Sequence, residues 1–279
     1  MTSESFTGIC PAVEESPSLI GQMQHQKGER SAHLIYFLPN FMDSHPGLSA
    51  LLDFLSIQAG EMQATNLLAE VRDSDPILET LRKSGFSIYG WETIWRLPVN
   101  YSSRENRARN NWAVMTPADE TVVRSLYQTL VPPLVQAAEP YSGSETPRLI
   151  YQLNGETNAY IESFAGPNGI YLKPVIHPAV ERPADILIEL MQLFKGLGKP
   201  VYLQMRSYQA WLTPALEELN ASTTVHFALL VRHLAVPQYA TASLRRVAIE
   251  NRHAETSAPI VQKIVDAKPI VKVRNSTDN

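Results

Sequence analysis

The chain has 279 residues and a net charge of −4, with 44% hydrophobic and 19% charged residues, the profile of an ordinary globular protein. The acidic balance argues against a general nucleic-acid binder, and no apolar run reaches the roughly 20 residues of a membrane span. One cysteine, Cys10, excludes an internal disulfide framework and makes a reducing cytoplasm the expected compartment.

Residues Met1 to Pro17 start polar, without the basic opening of a secretory signal, and their weak periodicity predicts a flexible N-terminus. Ser18 to Gln26 alternates as a strand, Lys27-Gly28-Glu29 supplies a turn, and Ser31 to Leu38 returns. Leu48, Leu51, Leu52 and Leu55 fall at helical spacing and predict a sheet-facing helix over 48–60. Asn66 to Arg72 reads as a strand. Asp75-Pro76 then opens a helix that Gly85 closes, and a further strand ends at Ile94 to Pro98. Residues 99–111, poor in apolar side chains after the first few, form the predicted linker.

Trp112 begins a second series. Thr116-Pro117-Ala118-Asp119 reads as a capped helix entry, and the following apolar stripe breaks at Pro132-Pro133. Arg148 to Leu153, Asn154-Gly155 and Thr157 to Phe164 make the strongest hairpin, because Asn-Gly suits the positive φ angles of a type I′ turn. Gly169 to Leu172 completes an antiparallel meander. A helix over 184–197 should cross over to a parallel strand at Val201 to Met205, followed by a helix over 211–221 and a last strand. From Pro237 onward basic residues outnumber acidic ones; a short helix near Ala242 to Asn251 and a solvated, partly disordered tail are expected.

The strand, helix, strand, helix, strand order thus occurs twice, and an arginine closes the middle strand each time (Arg72, Arg206). The repeat predicts two α/β modules with their own cores, a partial one over 18–98 and a complete one over 112–236, flanked by 1–17, a linker at 99–111 and an extension at 237–279.

Helix, meander, crossover helix, parallel strand, helix and final strand is an order that resembles the GNAT superfamily of acyl-CoA-dependent N-acyltransferases. The resemblance covers Trp112 to about Leu234 as a whole domain and Ser18 to Pro98 as its later part. It implies an α/β (α+β) fold of two GNAT-like domains, each a mixed, mostly antiparallel sheet flanked by helices with a splayed parallel strand pair. It also implies transfer of an acetyl or acyl group from acyl-CoA to an amine of a small molecule or protein.

In the family, glycines at the start of the crossover helix let backbone amides meet the coenzyme pyrophosphate. Here the equivalent places hold Glu181, Ala184 and Ile186 in the second copy and Met42, His45 and Gly47 in the first. The tyrosine acid of many relatives is replaced by Leu81 and Leu216. The resemblance implies that backbone amides of Tyr171 to Val175, Lys173 and Val175 among them, orient the thioester, and that Ala184 lies at the coenzyme.

Arg206 and Arg72 end equivalent strands, where open sheets place ligands; each reads as a cation for phosphates or as a surface arginine paired with a carboxylate. His177 reads as a general base or as a loop histidine, and Tyr208 as a substitute acid or, with Trp211, as a staple to the core. No metal-ligand spacing is present. Two functions follow: an acyltransferase, or an interaction module that keeps the fold without the coenzyme site, with a homodimer among its expected forms.

Overall fold

The computed structural model describes residues 3–12, 16–39, 45–98, 111–142 and 147–234. The first copy comprises β1 (Ser3–Cys10), β2 (Leu19–Gln26), β3 (Ser31–Leu38), α1 (Leu48–Glu61), β4 (Asn66–Arg72), α2 (Ile77–Lys83) and β5 (Ser87–Leu97). The second comprises β6 (Trp112–Val114), α3 (Glu120–Leu130), α4 (Pro133–Ala138), β7 (Arg148–Leu153), β8 (Glu156–Gly166), β9 (Gly169–Ile176), α5 (Pro183–Phe194), β10 (Val201–Arg206), α6 (Thr213–Glu218) and β11 (Ser222–His233). Most of the linker, Met42, and the tail with its expected helix lie outside the described residues. Among those described, no helix is long and apolar enough to cross a membrane.

Local chemistry places these elements as the sequence predicts. Leu48, Leu51, Leu52 and Leu55 are each 1% exposed or less beneath α1. The Asp75 carboxylate accepts the Ile77 amide at 3.0 Å, and Thr116 and Asp119 close a reciprocal cap ahead of α3. Asn154 and Gly155 take φ of 54° and 83° at the β7–β8 turn. The repeat extends to helix ends: Gly85 after α2 and Asn220 after α6 both adopt positive φ.

Two expectations are corrected. Ser3–Cys10 is not a flexible lead-in but β1, paired with β2 through all eight residues. Its inner face is Phe6 and Gly8. A side chain at Gly8 would meet the Leu51 Cδ1 at 2.8 Å, so α1 presses directly on the backbone there.

The second correction concerns closure. All eleven strands form one sheet in the order β1-β2-β3-β4-β11-β5-β10-β9-β8-β7-β6, and each copy lends its last strand to the other. β11 pairs antiparallel with β4, β5 pairs antiparallel with β10, and β5 and β11 pair at the centre. The first-copy core therefore includes Ala228 and Leu230, and the second-copy core includes Trp95 and Leu97.

The registers define a pseudo-twofold between β5 and β11. Arg72 faces Phe227 as Arg206 faces Glu92, and Glu70 faces Leu229 as Gln204 faces Ile94. Parallel pairing joins β3 to β4 over Ser31–His33 and β9 to β10 over Ile170–Leu172, three residues each, before both pairs splay. Leu67 and Ala69 face the α1 side, and Leu203 and Met205 the α5 side. The opposite face carries α3 and α4 in the second copy; among the described residues no helices of the first copy cover its half of that face.

Candidate functional site

The open face holds a cavity of about 610 Å³ on the pseudo-twofold. Equivalent positions line its two walls: His33, Ile35 and Glu70 from the first copy, and Tyr171, Lys173 and Gln204 from the second. Leu229 and Ile94 form a second equivalent pair on its floor. Duplication gave two similar walls, and substitution made their chemistry unlike.

The second-copy wall is a buried network, complete except for Arg206 Nη1, which has no hydrogen-bond partner among the described residues. The Glu92 carboxylate, 2% exposed, accepts the Tyr171 hydroxyl at 3.0 Å and an amide proton of Gln204, and Arg206 Nε lies 3.3 Å away. Arg206 Nη2 donates to Glu139 Oε2 at 2.9 Å, and the Tyr89 hydroxyl donates to the other Glu139 oxygen. Burial opposes the Arg206 charge, but Glu139 and Glu92 outweigh it and push its pKa above the ordinary range. Burial, then the neighbouring carboxylates, raises Tyr89 and Tyr171 well beyond normal titration, so both remain donors. Asn66 and Ser31 donate to the carbonyls of Ala137 and Ala138, which fixes the end of α4 and hence Glu139.

The first-copy wall is unfinished. Among the described residues the side chains of Glu70 and His33 make no hydrogen bond or ion pair. Glu70 is exposed toward the open cavity; partial desolvation there, then like-charge repulsion from Glu92, outweighs Arg206 and Lys173 and raises its pKa to about 7. Burial holds His33 below its ordinary value. At neutral pH this wall thus offers a proton-sharing carboxyl and an uncharged imidazole to the same cavity.

Of the residues singled out from sequence, the fold brings Lys173 and Arg206 to this cavity. Arg206 is buried and ion-paired, while Arg72, its equivalent, is exposed opposite Phe227. His177 is not a lining residue; its Nδ1 accepts the Ala179 amide at 3.1 Å and shapes its own loop. Tyr208 and Val175 pack in the cluster under α3 and α4, and burial raises the Tyr208 hydroxyl to about 12. Ala184 lies in the second-copy core. Sequence reasoning passed over Glu70, Glu92 and His33. The available signal was a lone carboxylate inside an apolar strand, as in NLLAEVR and SIYGWETIW, since an acid in such a run needs a reason, most of all one buried like Glu92.

The same geometry tests the coenzyme site. At α5 the first turn carries Asp185, and no side chain caps the helix; Arg182 pairs with Asp185 at 3.1 Å. The splay beside β10 is bridged by Gln209, 2% exposed, which donates to the Pro174 carbonyl at 2.7 Å and accepts the Arg206 amide at 3.2 Å. Pro174 itself has no amide to offer a thioester. At α1 the Gly47 amide is taken by His45 Nδ1 at 3.0 Å, and a side chain on Gly47 would meet Cys10 Sγ at 2.5 Å. The described residues therefore do not fit a coenzyme A pyrophosphate in the manner of the family.

Strand order, twin splays and crossover helices together give the GNAT fold, its strand-helix-strand order occurring twice in one sheet. Among solved structures the chain is similar to a GCN5-related N-acetyltransferase from Sphaerobacter thermophilus, with a TM-score of 0.52, 10% identity and 78% of each chain covered. It is also similar to a conserved protein of unknown function from Staphylococcus epidermidis, with a TM-score of 0.51, 11% identity, and 75% of this chain and 87% of that one covered. At such identities the likeness is one of fold. No protein-family model and no curated protein matches the chain.

Proposed function

We propose that the protein is a GNAT-like acyltransferase whose acyl acceptor is an amine held in the pseudo-twofold cavity. Glu70 carries this reading: it is an unpartnered carboxyl aimed into a cavity, with a pKa raised to about 7. A free alkylamine is protonated at neutral pH and must lose that proton before its lone pair can attack an acyl carbon. A carboxyl titrating near the working pH is matched to that task. His33, on the same cavity wall and with its pKa lowered, can orient the amine without repelling it. Neither helix start offers the family's phosphate cradle, so the acyl donor would have to be held in another manner.

A second reading, ligand binding without transfer, is favoured by the His45–Gly47 bond and by Asp185 at α5. Calorimetry separates the two. Hexylamine should bind the wild-type protein and lose most of its affinity to Glu70→Gln; no amine binding would overturn both readings. Acetyl-CoA binding tighter than millimolar supports transfer, and weaker binding leaves the module without transfer.

A further inference from the structure

Three ionisable side chains lining the cavity make no hydrogen bond or ion pair among the described residues: Glu70, His33 and Lys173. The other charged groups of the cavity are engaged, Arg206 with Glu92 and Glu139, and Glu139 also with Tyr89. Lys173 Nζ lies 5.2 Å from the centroid of the Phe164 ring, and its charge acts on Glu70 and His33 across the cavity.

The pseudo-twofold explains their distribution. Glu70 corresponds to Gln204, and Lys173 corresponds to Ile35. The free acid therefore exists only on the first-copy wall and the free ammonium only on the second. β4 and β9 are separated by β11, β5 and β10, which is four strand spacings, or roughly 19 Å at the backbone. The long Glu and Lys side chains shorten that gap across the cavity. Between them the floor is Leu229, Ile94 and Phe227.

We propose that the cavity takes an elongated zwitterion, its amine at Glu70 and His33, its carboxylate at Lys173, and an aliphatic or peptide body over Phe227, Leu229 and Ile94. This rests on the reading of Glu70 as an amine site. A single α-amino acid, whose charges are adjacent, is short against the four strand spacings between β4 and β9. The cavity's 610 Å³ suits a ligand several times longer. The two charged ends give polarity to binding, since the reversed molecule would set carboxylate against Glu70 and ammonium against Lys173.

The test is calorimetry at neutral pH with 6-aminohexanoate and 8-aminooctanoate, and with hexylamine and hexanoate as single-ended probes. At least one ω-amino acid should bind about tenfold or more tightly than hexylamine, the size of one charge-assisted hydrogen bond. Lys173→Met should remove that advantage while hexylamine still binds, no more weakly than to the wild type because a cation acting on Glu70 is gone, which also shows that the variant is folded. Glu70→Gln should weaken every amine-bearing probe. Equal affinity for hexylamine and both ω-amino acids, or an advantage that survives Lys173→Met, would overturn the zwitterion while leaving the amine site standing. Failure of every amine to bind would overturn both.

Discussion

Arg206→Met is the change with the most calculable consequence. The Arg206 side chain is 10% exposed, that of Glu92 is 0%, and Arg206 also holds Glu139, itself 29% exposed. Removing the cation strands a fully buried carboxylate, and breaking a buried pair from one side costs about 3–5 kcal/mol. For a chain of this size that corresponds to roughly 6–20 °C in Tm. Urea unfolding with an unchanged m-value measures it. Glu92→Leu added to Arg206→Met removes the stranded charge and should recover at least half of the loss. Arg72→Met supplies the internal control: it stands at the equivalent place opposite Phe227, is exposed, and should cost less than about 0.5 kcal/mol. A loss below about 1 kcal/mol for Arg206→Met, or equal losses at the two arginines, would refute the claim that only the second copy ties its arginine into a buried network.

Further outcomes follow from neighbouring observations. Gly47→Ala should destabilise by about 1–3 kcal/mol, because its methyl meets Cys10 Sγ, and Cys10→Ala in the same chain should restore most of that; a neutral Gly47→Ala in thermal melts would sink the argument. Gln209→Ala leaves the Pro174 carbonyl and the Arg206 amide unpaired. It should cost about 2–3 kcal/mol and speed hydrogen exchange at the Arg206 amide; unchanged exchange there would show that Gln209 does not bridge the splay. The Glu70 carboxyl has a folded pKa of about 7 against an ordinary 4.5, so the unfolded chain releases this proton first as pH rises. Stability should therefore fall between those two values and level off above. Glu70→Gln should abolish that fall and be the more stable form at pH 8, by roughly 1 kcal/mol after solvent screening across the cavity; a pH–Tm profile identical to wild type would contradict this.

The elements were legible because their signals are local: the Leu48 to Leu55 spacing, the Asn154-Gly155 turn, the Asp75 cap, and the repeat itself. β1 was missed because its inner face pairs Phe6 with a glycine, so the apolar alternation that marks a strand is absent; the glycine is dictated by α1, far away in sequence. The exchange of β5 and β11 was invisible for a related reason. Both strands carry residues buried on both faces, a pattern that names a central strand but not its neighbours. The site divides similarly. Lys173 and Arg206 could be placed from the strands that carry them, whereas Glu70 becomes a cavity wall only once β11 is inserted beside β4.

Proton titration of Glu70, followed through its side-chain carboxyl carbon by NMR and assigned with Glu70→Gln, bears most directly on the amine site. The free protein should show a midpoint near 7, moving toward the ordinary 4.5 when hexylamine saturates the cavity and its ammonium pairs with the carboxylate. A midpoint already near 4.5 without ligand, or one that stays where it was on adding the amine, would contradict the account.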